Sequence, residues 1–182
     1  NCKVNRLEGR QGYCGMDSTI RAARAALHMW EEPCISGEKG SGAVFFSGCG
    51  LRCSFCQNRD IAIGDSGKEI TLSRLADIFL ELEQKGAANL NLVTGAHYVP
   101  QIISALEIAK EKGFGLPVVY NSSGYEKVET LRMLDGYVDV YLPDMKYADG
   151  RLAASFSHAE DYPRRAGAAI AEMVRQTGAC QF

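Results

Sequence analysis

The sequence predicts an α/β fold in which parallel strands form one sheet with helices on its outside. Short apolar segments typical of buried strands alternate four times with segments of helical periodicity. A polar segment follows each apolar segment directly. Because right-handed βα connections bring the carboxyl ends of parallel strands to one edge, we expect these polar segments to surround one pocket.

The predicted elements follow one another in a regular order. Strands are predicted at residues 43–46, 90–94, 117–120 and 138–142. Helices are predicted from apolar residues three and four positions apart, at residues 71–85, 99–113, 128–134 and 166–177. Before the first strand, Asp17 or Ser18 could cap a helix with an apolar stripe formed by Ile20, Ala23, Leu27 and Trp30. We therefore expect a helical appendage at residues 1–36 and a βα core at residues 37–182.

Composition is that of an ordinary globular chain. The 182 residues, 46% of them hydrophobic and 23% charged, suffice for one domain with a substantial core. The formal net charge is −2 and basic residues are scattered, which argues against nucleic acid or an anionic membrane as partner. No apolar segment reaches the length of a membrane span. Seven cysteines, an odd number, favour a reducing compartment, and we expect a cytoplasmic protein.

Three of those cysteines carry the strongest functional signal. Cys49, Cys53 and Cys56 are separated by three and then two residues, directly after the first predicted strand. Thiolates at this spacing can wrap one short loop around an iron–sulfur cube. A cube has four irons, so three cysteines leave one iron open to a small molecule that can accept an electron. This favours a catalytic cluster over a purely electron-carrying one.

Other interpretations of the three cysteines fit the sequence less well. Structural zinc needs four ligands, and without a second pair of closely spaced cysteines Cys34 or His97 would have to complete the set. Three cysteines in one tight loop cannot all form disulfides. Buried, unreactive thiols are at odds with the glycine, arginine and glutamine residues around them.

The cysteine segment resembles the signature of the radical S-adenosylmethionine (radical SAM) superfamily, including the aromatic Phe55 before its last cysteine. Residues 46–58, 121–125 and 141–147 resemble most closely the branch related to pyruvate formate-lyase activating enzyme. The resemblance implies a partial TIM-type barrel of six βα units, four of which are visible here. We therefore expect the chain to be part of a longer polypeptide that supplies the fifth and sixth strands.

The resemblance also implies an activity. A 4Fe–4S cluster on the three cysteines would bind S-adenosylmethionine at its open iron and cleave it reductively to methionine and a 5′-deoxyadenosyl radical. The implied partners are an electron donor of the flavodoxin or ferredoxin type and a protein substrate that receives a glycyl radical. Radical modification of a small molecule or another peptide is an alternative. A further alternative is a non-catalytic iron–sulfur or metal-binding module for electron transfer.

Site residues follow from the resemblance by position. Phe55 would pack near the adenine. Thr94, Gly95 and Ala96 stand where most relatives carry a Gly-Gly-Glu-Pro motif that binds the amino group. With the glutamate missing, recognition of that group is expected from Thr94, backbone carbonyls or His97. For His97, a capping or packing role before the next helix is an equal alternative.

The ends of the third and fourth predicted strands complete the expected site. Lys146 would bind the carboxylate of S-adenosylmethionine, and Asp144 a ribose hydroxyl or a nearby cation. Asn121 and Ser122 would line the same cavity with hydrogen-bonding groups. The related branch often carries extra cysteines in the N-terminal region, so Cys2 and Cys14 leave a second metal site open, whereas ordinary buried or incidental thiols are expected at Cys34 and Cys180.

Overall fold

The computed structural model of the protein describes residues 3–179. Within this range six strands form one sheet: β1 (Arg21–His28), β2 (Ser41–Phe46), β3 (Lys68–Glu69), β4 (Leu90–Val93), β5 (Val118–Ser122) and β6 (Val140–Pro143). The helices of the same range are α1 (Pro33–Ser36), α2 (Arg59–Ala62), α3 (Leu72–Gln84), α4 (Val99–Glu111), α5 (Val128–Arg132), α6 (Gly150–Ser157) and α7 (Tyr162–Thr177), preceded by a 3₁₀ turn at Arg6–Glu8.

The sheet is mostly parallel and open. Its strand order is β3-β1-β2-β4-β5-β6, in which β2, β4, β5 and β6 run parallel. These are the four strands predicted from the sequence, each within a few residues of its predicted bounds. The predicted α/β class with a partial, unclosed barrel of parallel strands is therefore confirmed. Among the described residues, β6 pairs only with β5.

The predicted N-terminal helix is wrong. Arg21–His28 forms strand β1, which pairs antiparallel with β2 and with β3. The predicted apolar stripe is also split, because Ile20 is buried whereas Trp30 is 88% exposed. Asp17 accepts a hydrogen bond from the Thr19 amide at 2.8 Å and so makes a local turn rather than a helix cap. Without β1, the backbone N–H and C=O groups along one edge of β2 would have no hydrogen-bond partners. Pairing with β2 therefore stabilises the strand conformation more than helix propensity stabilises a helix in this alanine-rich segment.

The helices of the core agree better with the sequence. α3, α4 and α5 lie where predicted, and the Thr71 side chain caps α3 by accepting from the Arg74 amide. α7 begins at Tyr162, before the predicted residue 166, and α6 was not predicted at all. α6 is only two turns long, which is too short for a clear apolar period. Its start is capped by Asp149, whose side chain accepts from the Arg151 amide.

The main core lies between the sheet and the helices α3, α4 and α7. It is built from fully buried side chains of the central strands and the inner helix faces, among them Val44, Phe46, Phe79, Leu92, Ile102, Leu106 and Tyr120. No helix in the described part of the chain is both long and apolar enough to cross a bilayer.

Candidate functional site

A cavity of about 580 Å³ opens at the carboxyl ends of the parallel strands. This volume lies in the range of ordinary small-molecule sites. The residues predicted from the sequence that line it are Cys49, Cys53, Cys56, Phe55, Thr94, Asn121, Asp144 and Lys146. They come from the ends of all four parallel strands, so the predicted convergence of these segments is a feature of the structure.

The cysteine loop is held in place by its non-cysteine residues. Leu51 is fully buried in a small apolar cluster with Tyr147, Ala153, Ala159, Tyr162 and Ala166. The Ser54 amide donates to the carbonyl of Phe156 in α6 at 2.8 Å. At the start of the loop Gly48 has a φ of +87°, and a Cβ there would lie 2.7 Å from the Cys14 carbonyl oxygen. The thiols therefore sit on a fixed loop.

The donor set fits an iron–sulfur cluster. Burial raises the pKa of the Cys49 thiol, amide hydrogen bonds from Leu51 and Arg52 offset part of that rise, and the neighbouring Cys53 and Cys56 add to it. A positive metal centre beside Cys49 would favour its thiolate form. Among residues 3–179 no three His, Cys, Asp or Glu side chains converge as ligands of one ion. A cube takes each thiolate on a separate iron, so its three cysteine ligands need not converge on one ion.

An ion pair stands on another wall of the cavity. Lys146 Nζ lies 2.6 Å from Asp144 Oδ2, both residues following β6. Burial lowers the pKa of Lys146, but the hydrogen bond and charge of Asp144 outweigh it and the net shift is upward. Lys146 is therefore a cation at neutral pH, only 25% exposed, beside the cysteine loop.

A buried tyrosine that the sequence analysis did not identify braces this wall. Tyr162, at the start of α7, shares its one hydroxyl hydrogen between the carbonyls of Ser123 at 2.8 Å and Asp144 at 3.0 Å. Its oxygen accepts from the Lys146 amide at 2.8 Å. One phenol thus joins the loop after β5 to the loop after β6.

Asn121 and Ser122 are adjacent in β5 but face opposite sides. Asn121 lines the cavity, as does Ser123. Ser122, predicted to line it, is instead buried on the other side, where its hydroxyl donates to Glu126 and accepts from the Gly124 amide at 3.0 Å. The reason is the alternation of side chains along a strand, which sends neighbouring residues to opposite faces.

Two predicted residues lie on the rim and floor of the cavity. Phe55 is 56% exposed and packs its ring against the edge of Tyr147, with centroids 6.2 Å apart. Thr94 has a φ of +60°, and its amide donates to the Asn121 carbonyl at 3.0 Å. This conformation is costly for a β-branched residue, and such strain concentrates at functional sites.

His97 lies outside this cavity. It borders a second cavity of about 450 Å³, together with Cys14 and Glu126. Burial, with a smaller contribution from the charge of Arg6 and against the opposing bond to Ser47, lowers the pKa of His97 to about 4. The ring is therefore neutral at pH 7, and its Nε2–H donates to the Ser47 carbonyl at 2.8 Å. In this structure His97 fastens the end of β2, which corresponds to the packing alternative.

The other cysteines give no second site within the described residues. Cys14 is buried beside Met16, and Cys34 is exposed rather than buried. Cys2 and Cys180 lie outside the described residues, so the possible second metal site at Cys2 and Cys14 and the buried or incidental character of Cys180 stay predictions.

Three ionisable residues of the cavity were missed by the sequence analysis. Arg24 and His28 in β1, and Glu31 just after it, line the cysteine cavity. They were assigned to an appendage because β1 was predicted to be a helix. A strand assignment for residues 21–28 would have placed them beside β2, with Arg24 opposite Phe45 and His28 opposite Ser41, at the far end of β2 from the cysteine loop.

Comparisons with known proteins agree with this architecture. The chain is 32% identical over 168 residues to an uncharacterized protein of Methanocaldococcus jannaschii, a match that covers 88% of this chain and 48% of the relative. It is also 32% identical over 111 residues to a pyruvate formate-lyase-activating enzyme of Clostridium pasteurianum, covering 58% of this chain and 45% of that enzyme. The chain thus spans about half the length of the curated relatives it matches.

The family match covers the site itself. Residues 43–167 match the radical SAM superfamily, a stretch that runs from β2 into α7 and includes the cysteine loop and the carboxyl ends of the four parallel strands. Members of this superfamily generally bind a 4Fe–4S cluster and S-adenosylmethionine. This chain belongs to the radical SAM superfamily.

Proposed function

We propose that the protein cleaves S-adenosylmethionine reductively at a 4Fe–4S cluster held by Cys49, Cys53 and Cys56, in order to activate a partner protein. The observation that carries the proposal is that all three thiols line one cavity with the polar ends of β4, β5 and β6. The cluster would supply the electron that splits the sulfonium bond to C5′, giving methionine and a radical that takes a hydrogen atom from the substrate.

The protein's own residues would bind and orient the small molecule. Lys146, cationic and partly buried, would pair with its carboxylate, and Asp144 would fix the Lys146 ammonium and accept from a ribose hydroxyl. Asn121 and the backbone around Thr94 offer hydrogen bonds on the opposite side. Phe55 presents an exposed ring on which the adenine could stack.

The cluster and the cleavage can be tested together under anaerobic conditions. Reconstituted protein with a strong reductant should show the electron paramagnetic resonance signal of a reduced cubane and release 5′-deoxyadenosine and methionine. Cys53→Ala should lose both, whereas Cys34→Ala, an exposed thiol outside the cavity, should keep both. A complete cluster in Cys53→Ala would contradict the ligand assignment. A cluster that never yields cleavage products would indicate an electron carrier.

The activating role rests on the likeness to the Clostridium pasteurianum enzyme, whose name gives pyruvate formate-lyase as its target. That enzyme is therefore the first partner to try, with a flavodoxin or ferredoxin as the electron donor. Activation predicts a protein-based radical on the partner, formed in step with 5′-deoxyadenosine. Continued cleavage without any radical on the partner would point to another peptide or a small molecule as substrate.

A further inference from the structure

The second cavity, of about 450 Å³, is bounded by the same loops that form the cysteine cavity. Three loops contribute residues to both cavities: the cysteine loop and the loops that follow β4 and β5. Their residues on the second cavity are Gly50, Ala96, His97, Tyr125 and Glu126. Their residues on the cysteine cavity include Cys49, Leu51, Thr94, Asn121 and Ser123. A ligand in the second cavity would therefore contact the loops that carry the thiols and Asn121.

The N-terminal segment forms the remaining wall of the second cavity, to which it contributes Arg6, Tyr13 and Cys14. Arg6 donates to the His97 carbonyl at 2.5 Å and to the Asp17 carbonyl at 3.1 Å. A guanidinium has five N–H groups, so Arg6 keeps further donors after these two bonds. Because the two bonds fix the guanidinium on the cavity wall, its position is set before any ligand binds.

The second cavity offers positive charge without a matching carboxylate. Arg6 and Lys127 both line it, and within residues 3–179 no carboxylate oxygen lies within ion-pair distance of either side chain. Glu126 lines the cavity too, but its carboxyl group accepts from the hydroxyls of Ser122 and Tyr120. Arg6 is partly buried, and an anion beside it would offset the cost of removing its charge from water.

The size and the walls of the second cavity suit an organic ligand. About 450 Å³ lies within the range of small-molecule sites and is far more than an inorganic ion fills. The rings of Tyr13 and Tyr125 and the neutral imidazole of His97 line it, and aromatic rings pack well against an apolar or planar body. The free cations and the aromatic walls together indicate a small organic anion.

We propose that the second cavity is an effector site for a small organic anion, whose phosphate or carboxylate group contacts Arg6 and Lys127 and whose apolar body packs against Tyr13 and Tyr125. The bound anion holds the three shared loops in one arrangement. The cysteine cavity then loses less conformational freedom when its own ligand binds, so the two sites bind cooperatively. The anion site is independent of the proposed function, whereas the cooperativity rests on it, because S-adenosylmethionine is taken as the ligand of the cysteine cavity.

The anion site is tested with three probes that share an aromatic ring. Phenyl phosphate and benzoate carry the two kinds of anion, and benzyl alcohol is neutral. Each is titrated by calorimetry into the cluster-reconstituted protein under anaerobic conditions. At least one anion should bind, about 10-fold or more tightly than benzyl alcohol, because its hydrogen bonds are charge-assisted. The tighter of the two anions distinguishes a phosphate site from a carboxylate site.

Two lysine variants locate the bound anion. Lys127→Gln should weaken the anion about 5-fold or more and leave benzyl alcohol unchanged, because it removes one charged donor. Lys85→Gln removes the same charge from an exposed position outside both cavities and should change neither probe. Failure of both anions to bind would overturn the effector site. Anion binding that Lys127→Gln leaves unchanged would also overturn it, because the anion would then lie elsewhere.

The cooperativity is tested with S-adenosylhomocysteine, which resembles S-adenosylmethionine but is not cleaved. Its affinity for the cluster-reconstituted protein should rise about 5-fold or more when the tighter-binding anion is present at saturation. At the same anion concentration the rise should be smaller in Lys127→Gln. An unchanged affinity would overturn the cooperativity and leave the anion site standing. Failure of the wild type to bind S-adenosylhomocysteine at all would overturn the proposed function and the cooperativity, while the anion site is decided by the first titration.

Discussion

Adjacent residues of β5 face different cavities. Asn121 faces the cysteine cavity, whereas Ser122 points away and meets Glu126, which borders the second cavity. Tyr120, on the same side as Ser122, donates its hydroxyl to Glu126 at 3.2 Å. Glu126 is thus a buried carboxyl group with two hydroxyl donors and no cationic partner among the described residues.

Glu126 should make stability depend on pH. Burial raises the pKa of Glu126 from 4.5 to about 7, although the hydroxyls of Ser122 and Tyr120 oppose the shift. Between these two values the folded state holds a proton that the unfolded chain releases. The free energy of unfolding should therefore fall as pH rises from about 4.5 to about 7, by about 3 kcal/mol at most at about 1.4 kcal/mol per pKa unit.

The variant Glu126→Gln isolates this effect. Glutamine has nearly the volume of glutamate and keeps one oxygen that can accept a hydrogen bond, but it cannot ionise. The loss of stability between about pH 4.5 and 7 should therefore disappear in the variant. Urea unfolding of both proteins at several pH values gives the comparison. His97 works in the opposite direction, since its depressed pKa makes stability rise with pH between about 4 and 6.5. Both proteins retain His97, so the difference between their curves reports Glu126; parallel curves would contradict the prediction.

At the scale of elements, the strands and helices with clear periodicity were predictable and β1 was not. The strands β2, β4 and β5 are buried on both faces and are therefore mostly apolar, so their composition alone identifies them as strands. β1 places Arg21 and Arg24 three positions apart among alanines, a pattern that fits a helix at least as well as a strand. Its conformation is set by the edge of β2, which lies some twenty residues away in sequence and leaves no local signal.

Helix α7 joins the loops after β5 and β6 through a single phenol. Tyr162→Phe removes the oxygen that joins the carbonyls of Ser123 and Asp144 to the Lys146 amide. Because Tyr162 is fully buried, water cannot replace it, and the unfolding free energy should fall by about 1–3 kcal/mol. The wall that carries Lys146 should loosen as well, so binding of S-adenosylhomocysteine should weaken. Urea unfolding and calorimetry measure the two effects.

Tyr137→Phe is the matched control for this substitution. Tyr137 also donates its hydroxyl, to Glu107 at 2.8 Å, but the pair is exposed to solvent. Removing that hydroxyl should change stability by less than about 0.5 kcal/mol and leave ligand binding unaffected. If Tyr162→Phe behaves like Tyr137→Phe, the buried phenol does not brace the two loops.

At the scale of the whole molecule, the site was predictable only as far as the parallel strands determine it. Every strand end of a βα unit lies at one edge of the sheet, so the thiols, Thr94, Asn121 and the Asp144–Lys146 pair could be grouped from sequence. Glu31 could not, because it reaches the cavity through an antiparallel hairpin that no βα rule describes. Tyr162 escaped notice for a similar reason: its role depends on two loops distant in sequence.

The strand order also predicts how firmly each wall of the cavity is held. β2, β4 and β5 each have a hydrogen-bonded neighbour on both sides, whereas within the described residues β6 has only β5 and the two-residue β3 only β1. Strands paired on both sides exchange their amide hydrogens mainly through global unfolding, and strands paired on one side also open locally. Hydrogen exchange followed by mass spectrometry should therefore be slowest in β2 and β4 and clearly faster in β6 and β3. The wall that carries Lys146 follows β6, so S-adenosylhomocysteine should slow exchange there more than in β2. Equal protection of β6 and β4 in the free protein would show that the sheet opens only as one unit.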